Sequence, residues 1–325
     1  MTAKHHDSHG RITYYAVSGL LFPVTLVGYG LWVGKLLARR KSGVSVTAQG
    51  PLSARWFQHQ LGTRTDEASS RLLAELPGVS PLGLRLTAGP MRIAHRLSGY
   101  VPKAFRYPFE GEVPPKYEAS ARVPFFDRAV EKYTKDQLVI LGAGFDTRAF
   151  RIPDVRVKRF EVDMPETQQV KRETLARAGI DASDVVFVPA DFEKDDWLAE
   201  LVRAGFDPTK PAMFVWEGVI MYLDREAILS TLRKIAGLPK GTAVAFDYFT
   251  RVPLESKALY WRYARATTKA AHEPLKFGID ATPPSRERLA ELLRSCGLTL
   301  VEHETLGADT AEERAWGGFA VAAVR

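Results

Sequence analysis

The chain has 325 residues, 46% hydrophobic and 26% charged, which supplies a sizeable core and excludes a disordered or fibrous polymer. Its one cysteine, Cys296, excludes an intramolecular disulfide framework and a zinc site built on paired cysteines, and reads as a small core thiol. The net charge of +7 suits an anionic partner, but no aromatic-basic stacking motif accompanies it, so a nucleic-acid partner is not expected.

Residues 12–34 carry no charge, and the run matches the roughly 20 residues needed to cross about 30 Å of hydrocarbon. It is a transmembrane helix candidate. Tyr14 and Tyr15 lie near one end and Trp32 near the other, where amphipathic rings favour the headgroup level. Lys35, Arg39, Arg40 and Lys41 follow, which assigns residues 1–41 as a membrane anchor with the rest of the chain in the cytoplasm. Gly19, Pro23, Gly28 and Gly30 dilute the run, so a buried or interfacial helix in a soluble cytoplasmic protein is the alternative. Gly30 and Gly34 form a G-x-x-x-G spacing that a run so rich in glycine produces by chance. Residues 42–115 read as a helical, turn-broken extension without a catalytic signature, with a helix at 66–76 between Gly and Pro breaks. His59 and His95 in this stretch have no partner spacing and read as structural or surface residues.

From residue 137 short apolar runs alternate with helix-period segments. Strands are expected at 137–141, 157–163, 185–191, 212–217 and 243–248, and helices at 166–178, 196–204 and 225–235. That order builds an α/β domain on a parallel sheet. A helix at 285–295 then leads to two strands, 298–303 and 319–324, with no helix between them, which reads as an antiparallel hairpin.

The run from Val139 to Gly144 is a buried strand entering a glycine turn, where backbone can approach a nucleotide-like ligand. Asp163 ends the next strand, 21 residues after Gly142, placed to accept from ribose hydroxyls. NAD enzymes share this geometry. Here, however, Thr147 stands where their third glycine would be, and the carboxylate of Asp146 beside the loop repels pyrophosphate but tolerates an ammonium and a sulfonium. The residues therefore favour S-adenosylmethionine over NAD. Glu217 ends the fourth strand and projects into the crevice where open α/β sheets bind ligands; buried there it needs a cation, which the cofactor's ammonium would supply.

The motifs Ala121-Arg122 with Phe126-Asp127, LGAGFDTRAFR (141–151), FEVDMPE (160–166) followed by Lys171, PADF (189–192), WEGVIMYL (216–223) and KFGID (276–280) resemble those of leucine carboxyl methyltransferases and bacterial polyketide-type O-methyltransferases. The resemblance covers about residues 116–325. It implies the class I methyltransferase fold, a Rossmann-like, doubly wound, mostly parallel sheet closed by a C-terminal antiparallel hairpin, with S-adenosylmethionine as cofactor. By the same resemblance Arg122 holds the methionine carboxylate, Gly142, Ala143 and Gly144 pass close to the cofactor, and Asp163 takes the ribose. Asp191 lies near the adenine amine with Phe192 flanking the ring, Glu217 helps hold the methionine part, and Tyr222 lies near the methyl acceptor as the catalytic candidate. The plain alternative for Arg122 is a surface ion pair with Asp127. An N-terminal lysine of the family has a candidate counterpart in Lys116. Methyl transfer from a sulfonium is an in-line displacement, for which the protein mainly aligns the partners and excludes water. A carboxylate acceptor needs no general base at pH 7, whereas a hydroxyl usually does, and none of the seven histidines falls at a strand's carboxyl end in the motif region. The reading is therefore O-methylation of a carboxylate on a small-molecule or lipid-like acceptor, with His272 as a structural residue and no metal. The alternatives are hydroxyl O-methylation of polyketide or quinone type and a non-catalytic anchored binding module on the same fold.

Overall fold

The computed structural model describes residues 2–38, 48–111, 113–271 and 273–325. Helices α1 (Thr2–Leu20), α2 (Phe22–Ala38), α3 (Gln49–Gln60), α4 (Glu67–Glu75), α5 (Pro81–Ser98) and α6 (Glu118–Tyr133) precede the sheet. Then follow β1 (Gln137–Leu141), β2 (Lys158–Asp163), α7 (Pro165–Arg177), β3 (Val185–Pro189), α8 (Trp197–Arg203), β4 (Ala212–Trp216), α9 (Arg225–Ala236) and β5 (Ala243–Phe249). The chain closes with α10 (Val252–Glu255), α11 (Leu259–Ala270), α12 (Ser285–Ser295), β6 (Thr299–Leu306) and β7 (Gly317–Ala323).

The seven strands lie in the order β3-β2-β1-β4-β5-β7-β6. β1 pairs in parallel with β2 on one side and β4 on the other, and β5 continues the parallel run. β7 inserts antiparallel between β5 and β6, so the expected hairpin closes the sheet. This is the doubly wound class I methyltransferase fold. The central strands β1 (QLVIL) and β4 (AMFVW) are buried at every position, as strands covered on both faces must be. Val139 and Leu141 pack on one face with Trp197, Ile228 and Leu293, whereas Leu138 and Ile140 pack on the other with Phe125 and Phe126 of α6. Cys296 is buried in the first of these cores. Because the chain leaves β1 toward β2 and returns to place β4 on the other side, the loops after β1 and β4 diverge and open a crevice at their carboxyl ends.

The helices before the sheet have their own core, in which Trp32, Leu52, Trp56, Leu72 and Leu84 meet Phe145 of the glycine loop and Leu175 of α7. Side-chain caps set two of these helices: Asp66 accepts from the Ser69 N–H, and Ser80 from the Gly83 N–H. α5 stops at Gly99, whose φ of 66° permits the left-handed cap.

The expected spanning helix at 12–34 is corrected. The segment is broken at Leu21, and the arms 8–20 and 22–35 meet at 64°. Pro23 has no N–H for the Gly19 carbonyl and its ring crowds that carbonyl, which ends one helix and starts another. Among the described residues no single helix is long and apolar enough to cross a membrane, although the bent pair passes that test by length and composition. Two of the aromatic residues expected at a headgroup level pack inward: Tyr14 against Tyr100 and Trp32 against Trp56, with ring centres 5.5 and 6.0 Å apart. A Cβ added at Gly30 or Gly34 would meet no atom within 4 Å among the described residues outside its own stretch of helix, so neither glycine marks a close helix contact. Arg39, Arg40, Lys41 and His272 lie outside the described residues.

Candidate active site

A cavity of about 610 Å³ opens at the carboxyl ends of β1, β2 and β4. Arg122, Gly142, Ala143, Gly144, Asp163, Asp191, Phe192, Glu217 and Tyr222 all line it. The topology brings these nine residues together, because each follows a strand end or sits on α6, which packs across the sheet.

The loop after β1 turns on Gly142 and Gly144, with φ of +63° and +43°. A Cβ on Gly142 would lie 2.4 Å from Val219 Cγ2, so both the conformation and the space demand glycine. Asp163 locks this loop to β2: Oδ2 accepts from the Gly144 N–H at 2.5 Å and Oδ1 from the Met164 N–H at 2.7 Å. Burial raises its carboxyl against those two hydrogen bonds. Asp191 is more open. It pairs with Lys194 at 2.8 Å, and that hydrogen bond lowers its carboxyl. Beside it the Phe192 ring lies 6.2 Å from Trp197 and 6.3 Å from Trp216, an apolar wall.

Glu217 and Asp146 do not wait for a ligand's charge, which corrects the electrostatic reading of both. Arg55 Nη2, from α3, donates to Glu217 Oε2 at 2.8 Å and to Asp146 Oδ2 at 3.0 Å. Arg148 Nη1 donates to the same two oxygens, at 2.5 Å for Asp146. Arg148 Nε reaches Asp127 at 2.8 Å, and Asp127 in turn accepts from Arg64 Nε at 2.8 Å. Burial alone would raise Asp127 and Asp146, yet the guanidinium groups hold both well below the usual carboxylate range. With Asp146 neutralised, its charge no longer argues for one cofactor over another. One oxygen is left over: Glu217 Oε1 is buried without a hydrogen-bond partner.

Arg122 is not paired with Asp127, which corrects the alternative drawn from sequence. Its Nη2 donates to Glu118 one turn earlier on α6 and lies 2.8 Å from Asp247 Oδ2 of β5. Asp247 also accepts from the Gly218 N–H at 2.6 Å. Burial outweighs the guanidinium and pushes Asp247 up to about 6. Arg122 Nε, like Glu217 Oε1, is buried without a partner. Arg55 Nε is buried without a partner as well, so the cavity's lining residues carry three unsatisfied atoms, two on guanidinium groups and one on a carboxylate.

The Tyr222 N–H donates to the Val219 carbonyl at 3.0 Å, and burial raises its hydroxyl, so it stays protonated. No described histidine lines the cavity. His59 Nδ1 accepts from the Asp66 N–H, His95 lies 3.1 Å from the Tyr100 carbonyl, and His303 pairs with the Tyr248 hydroxyl at 2.8 Å. Lys116 sits 5.0 Å from the Tyr117 ring and does not line the cavity. Lys276 of the KFGID run does, holding Glu193 at 2.8 Å beside the mouth. Among the described residues no group of three or more His, Cys, Asp and Glu side chains is arranged to hold a metal.

Sequence reasoning missed Arg55, Arg148 and Asp247. Arg148 stood inside the quoted glycine-loop motif, and Asp247 interrupts an apolar strand, a position where a carboxylate needs a partner. Arg55 gives no local signal, since its partners lie 91 and 162 residues away.

Residues 113–236 match the family model for leucine carboxyl methyltransferase. A Mycolicibacterium smegmatis protein named "Putative S-adenosyl-L-methionine-dependent methyltransferase" is 34% identical over 180 residues, 52% of this chain and 53% of its own. A Bacillus subtilis protein of the same name with the suffix YktD is 35% identical over 173 residues, 51% and 55% of the two chains. Among solved structures, a DUF574 family protein from Streptomyces avermitilis aligns over 84% of this chain and 97% of its own, with 17% identity and a TM-score of 0.46. The chain spans about half the length of the curated relatives it matches.

Proposed function

We propose that this chain, a member of the leucine carboxyl methyltransferase family of class I methyltransferases, is an S-adenosylmethionine-dependent O-methyltransferase acting on the carboxylate of a small-molecule or lipid-like acceptor. The observation that carries the reading is that buried, unpartnered atoms of both signs lie on the cavity-lining residues, Nε of Arg55 and Arg122 and Oε1 of Glu217. Orphaned groups of opposite sign fit the carboxylate and ammonium of an amino-acid head. In this reading Arg122 holds the carboxylate, its position set by Asp247 and Glu118, and Glu217 holds the ammonium, its position set by Arg55 and Arg148. Asp163 keeps free lone pairs for a ribose while its bonds to Gly144 and Met164 fix its direction. Gly142, Ala143 and Gly144 give the cofactor an open approach, and Asp191 with Phe192 takes the adenine.

When bound, the cofactor supplies a methyl group on a sulfonium, a carbon already activated for displacement. The protein's share is alignment and exclusion of water, for which Tyr222, Met221 and Phe249 form the apolar end of the cavity. The protonated Tyr222 hydroxyl donates to an acceptor oxygen and orients it. The absence of histidine among the described lining residues favours a carboxylate, which is already a nucleophile at neutral pH. The uncharged segment 12–34 supports association with a membrane, with the catalytic half on the cytoplasmic side, and an acceptor drawn from that surface.

The experiment incubates the protein with methyl-labelled S-adenosylmethionine and a panel of fatty, aromatic and polyketide-like carboxylic acids beside the matching phenols. Product label released as methanol by mild alkali identifies an ester. Alkali-stable label would move the assignment to hydroxyl methylation, and cofactor binding with no transfer to any acceptor would leave a binding module.

A further inference from the structure

α1 and α2 touch the rest of the protein along one narrow stripe. Tyr14 and Trp32 pack inward on it. Gly10 and Gly28 lie so close to α5 that an added Cβ would meet the Ser98 carbonyl at 2.8 Å and the Thr87 nitrogen at 2.7 Å. Residues 10 and 14, and 28 and 32, are each one turn apart, so the stripe is one side of each helix. The other sides carry Ile12, Leu20, Phe22, Leu26 and Val27, exposed by 67, 80, 57, 57 and 57%. α5 adds Leu82 and Leu97, exposed by 58 and 65%. Helices that are apolar away from their packing stripe belong in a non-aqueous environment.

Charge identifies that environment. The sequence has no acidic residue between Asp7 and Asp66 or between Glu75 and Glu110. Arg11, Lys35, Arg85, Arg92 and Arg96 are exposed in these stretches, and none meets a carboxylate among the described residues. Geometry then selects the mode. The uncharged parts of the two arms, 12–20 and 22–34, reach only about 14 and 20 Å at 1.5 Å per residue, short of the ~30 Å of hydrocarbon, and they are bent at 64°. α5 lies along both arms and brings arginines that hydrocarbon would reject.

We propose that α1, α2 and the exposed edge of α5 form a platform lying in the plane of an anionic bilayer surface. Its apolar side chains sit at the headgroup–acyl boundary, and its arginines and Lys35 meet lipid phosphates. The inference rests on the membrane placement proposed for residues 12–34, specifies its mode, and is independent of the methyl-transfer reading. Ala48, Gly50 and Pro51, from the chain that follows α2, line the cavity, so the platform sets the cavity at the membrane surface.

The test adds purified full-length protein to preformed vesicles of phosphatidylcholine, with or without phosphatidylglycerol, and follows flotation. The protein is expected to float with the anionic vesicles. Raised salt should weaken partitioning at least tenfold, and so should the double substitution Leu26→Asp with Val27→Asp, which leaves the unfolding midpoint unchanged because both side chains are more than half exposed. In a Cys296→Ser background, Ser8→Cys and Lys35→Cys should both react with an impermeant maleimide added outside the vesicles. Reaction at only one end would mean a spanning segment and would overturn the in-plane mode while keeping the membrane placement. Failure to float with either vesicle would overturn both, and a dimer dissolved by Leu26→Asp would assign the face to a second copy of the chain.

Discussion

Replacing Arg55 by methionine keeps most of the stem of the side chain and removes the guanidinium that joins α3 to the ends of the sheet. The group is 2% exposed and lies 2.8 Å from Glu217 and 3.0 Å from Asp146. Removing one partner of a buried ion pair costs about 3–5 kcal/mol, because the other charge stays buried and uncompensated. Arg148 retains its own contacts to both carboxylates, so the lower end applies, about 3 kcal/mol. At about 2 °C per kcal/mol for a chain of this size, the thermal midpoint should fall by about 6 °C. The assay is calorimetric unfolding of wild type, Arg55→Met and the control Arg85→Met, whose side chain is exposed and should change stability by less than about 0.5 kcal/mol. An Arg55→Met midpoint within 1 °C of wild type would refute the claim that α3 is clamped to the site through buried charge.

Gly142→Ala should cost about 1–3 kcal/mol and abolish cofactor binding, with partial recovery in Gly142→Ala with Val219→Ala, since the added Cβ meets Val219 and the positive φ persists; titration of the ligand into each variant measures it. Tyr222→Phe should leave the cofactor dissociation constant within about threefold and lower turnover, because the cavity-lining hydroxyl it removes is the one proposed to orient the acceptor. Burial raises Glu161 from 4.5 to about 7, against the attraction of Lys171 at 2.6 Å. A raised folded-state value stabilises the protonated form, so its contribution is full below the unfolded value and is lost as pH rises through about 7. Urea unfolding at pH 5 and pH 8 should show that the advantage of wild type over Glu161→Gln shrinks at the higher pH; an advantage that grows would contradict the shift.

The sheet was legible because its central strands are short apolar runs bounded by glycine and proline. β1 falls at the expected 137–141, and the ends of the other strands differ by a few residues: β3 and β4 stop at Pro189 and Trp216, short of Asp191 and Glu217, while β5 and β6 run on to Phe249 and Leu306. The nine candidate residues were legible for the same reason, as each lies at a strand end or on a quoted motif. The charge network was not, because periodicity reports which face of an element is buried and is silent about which distant charge comes to meet it. Glu217 and Asp146 thus read as carboxylates awaiting a ligand, when Arg55 and Arg148 already neutralise them. The N-terminal run misled differently: its composition is that of a span, but one proline and a stripe of glycines make it two helices laid on α5.

The central claim is tested most directly by calorimetric titration of S-adenosylmethionine into the wild-type protein and into Asp163→Ala. The account predicts saturable one-to-one binding to wild type that weakens at least tenfold in the variant, both proteins showing a folded thermal transition. A folded wild type that takes up no cofactor would contradict it.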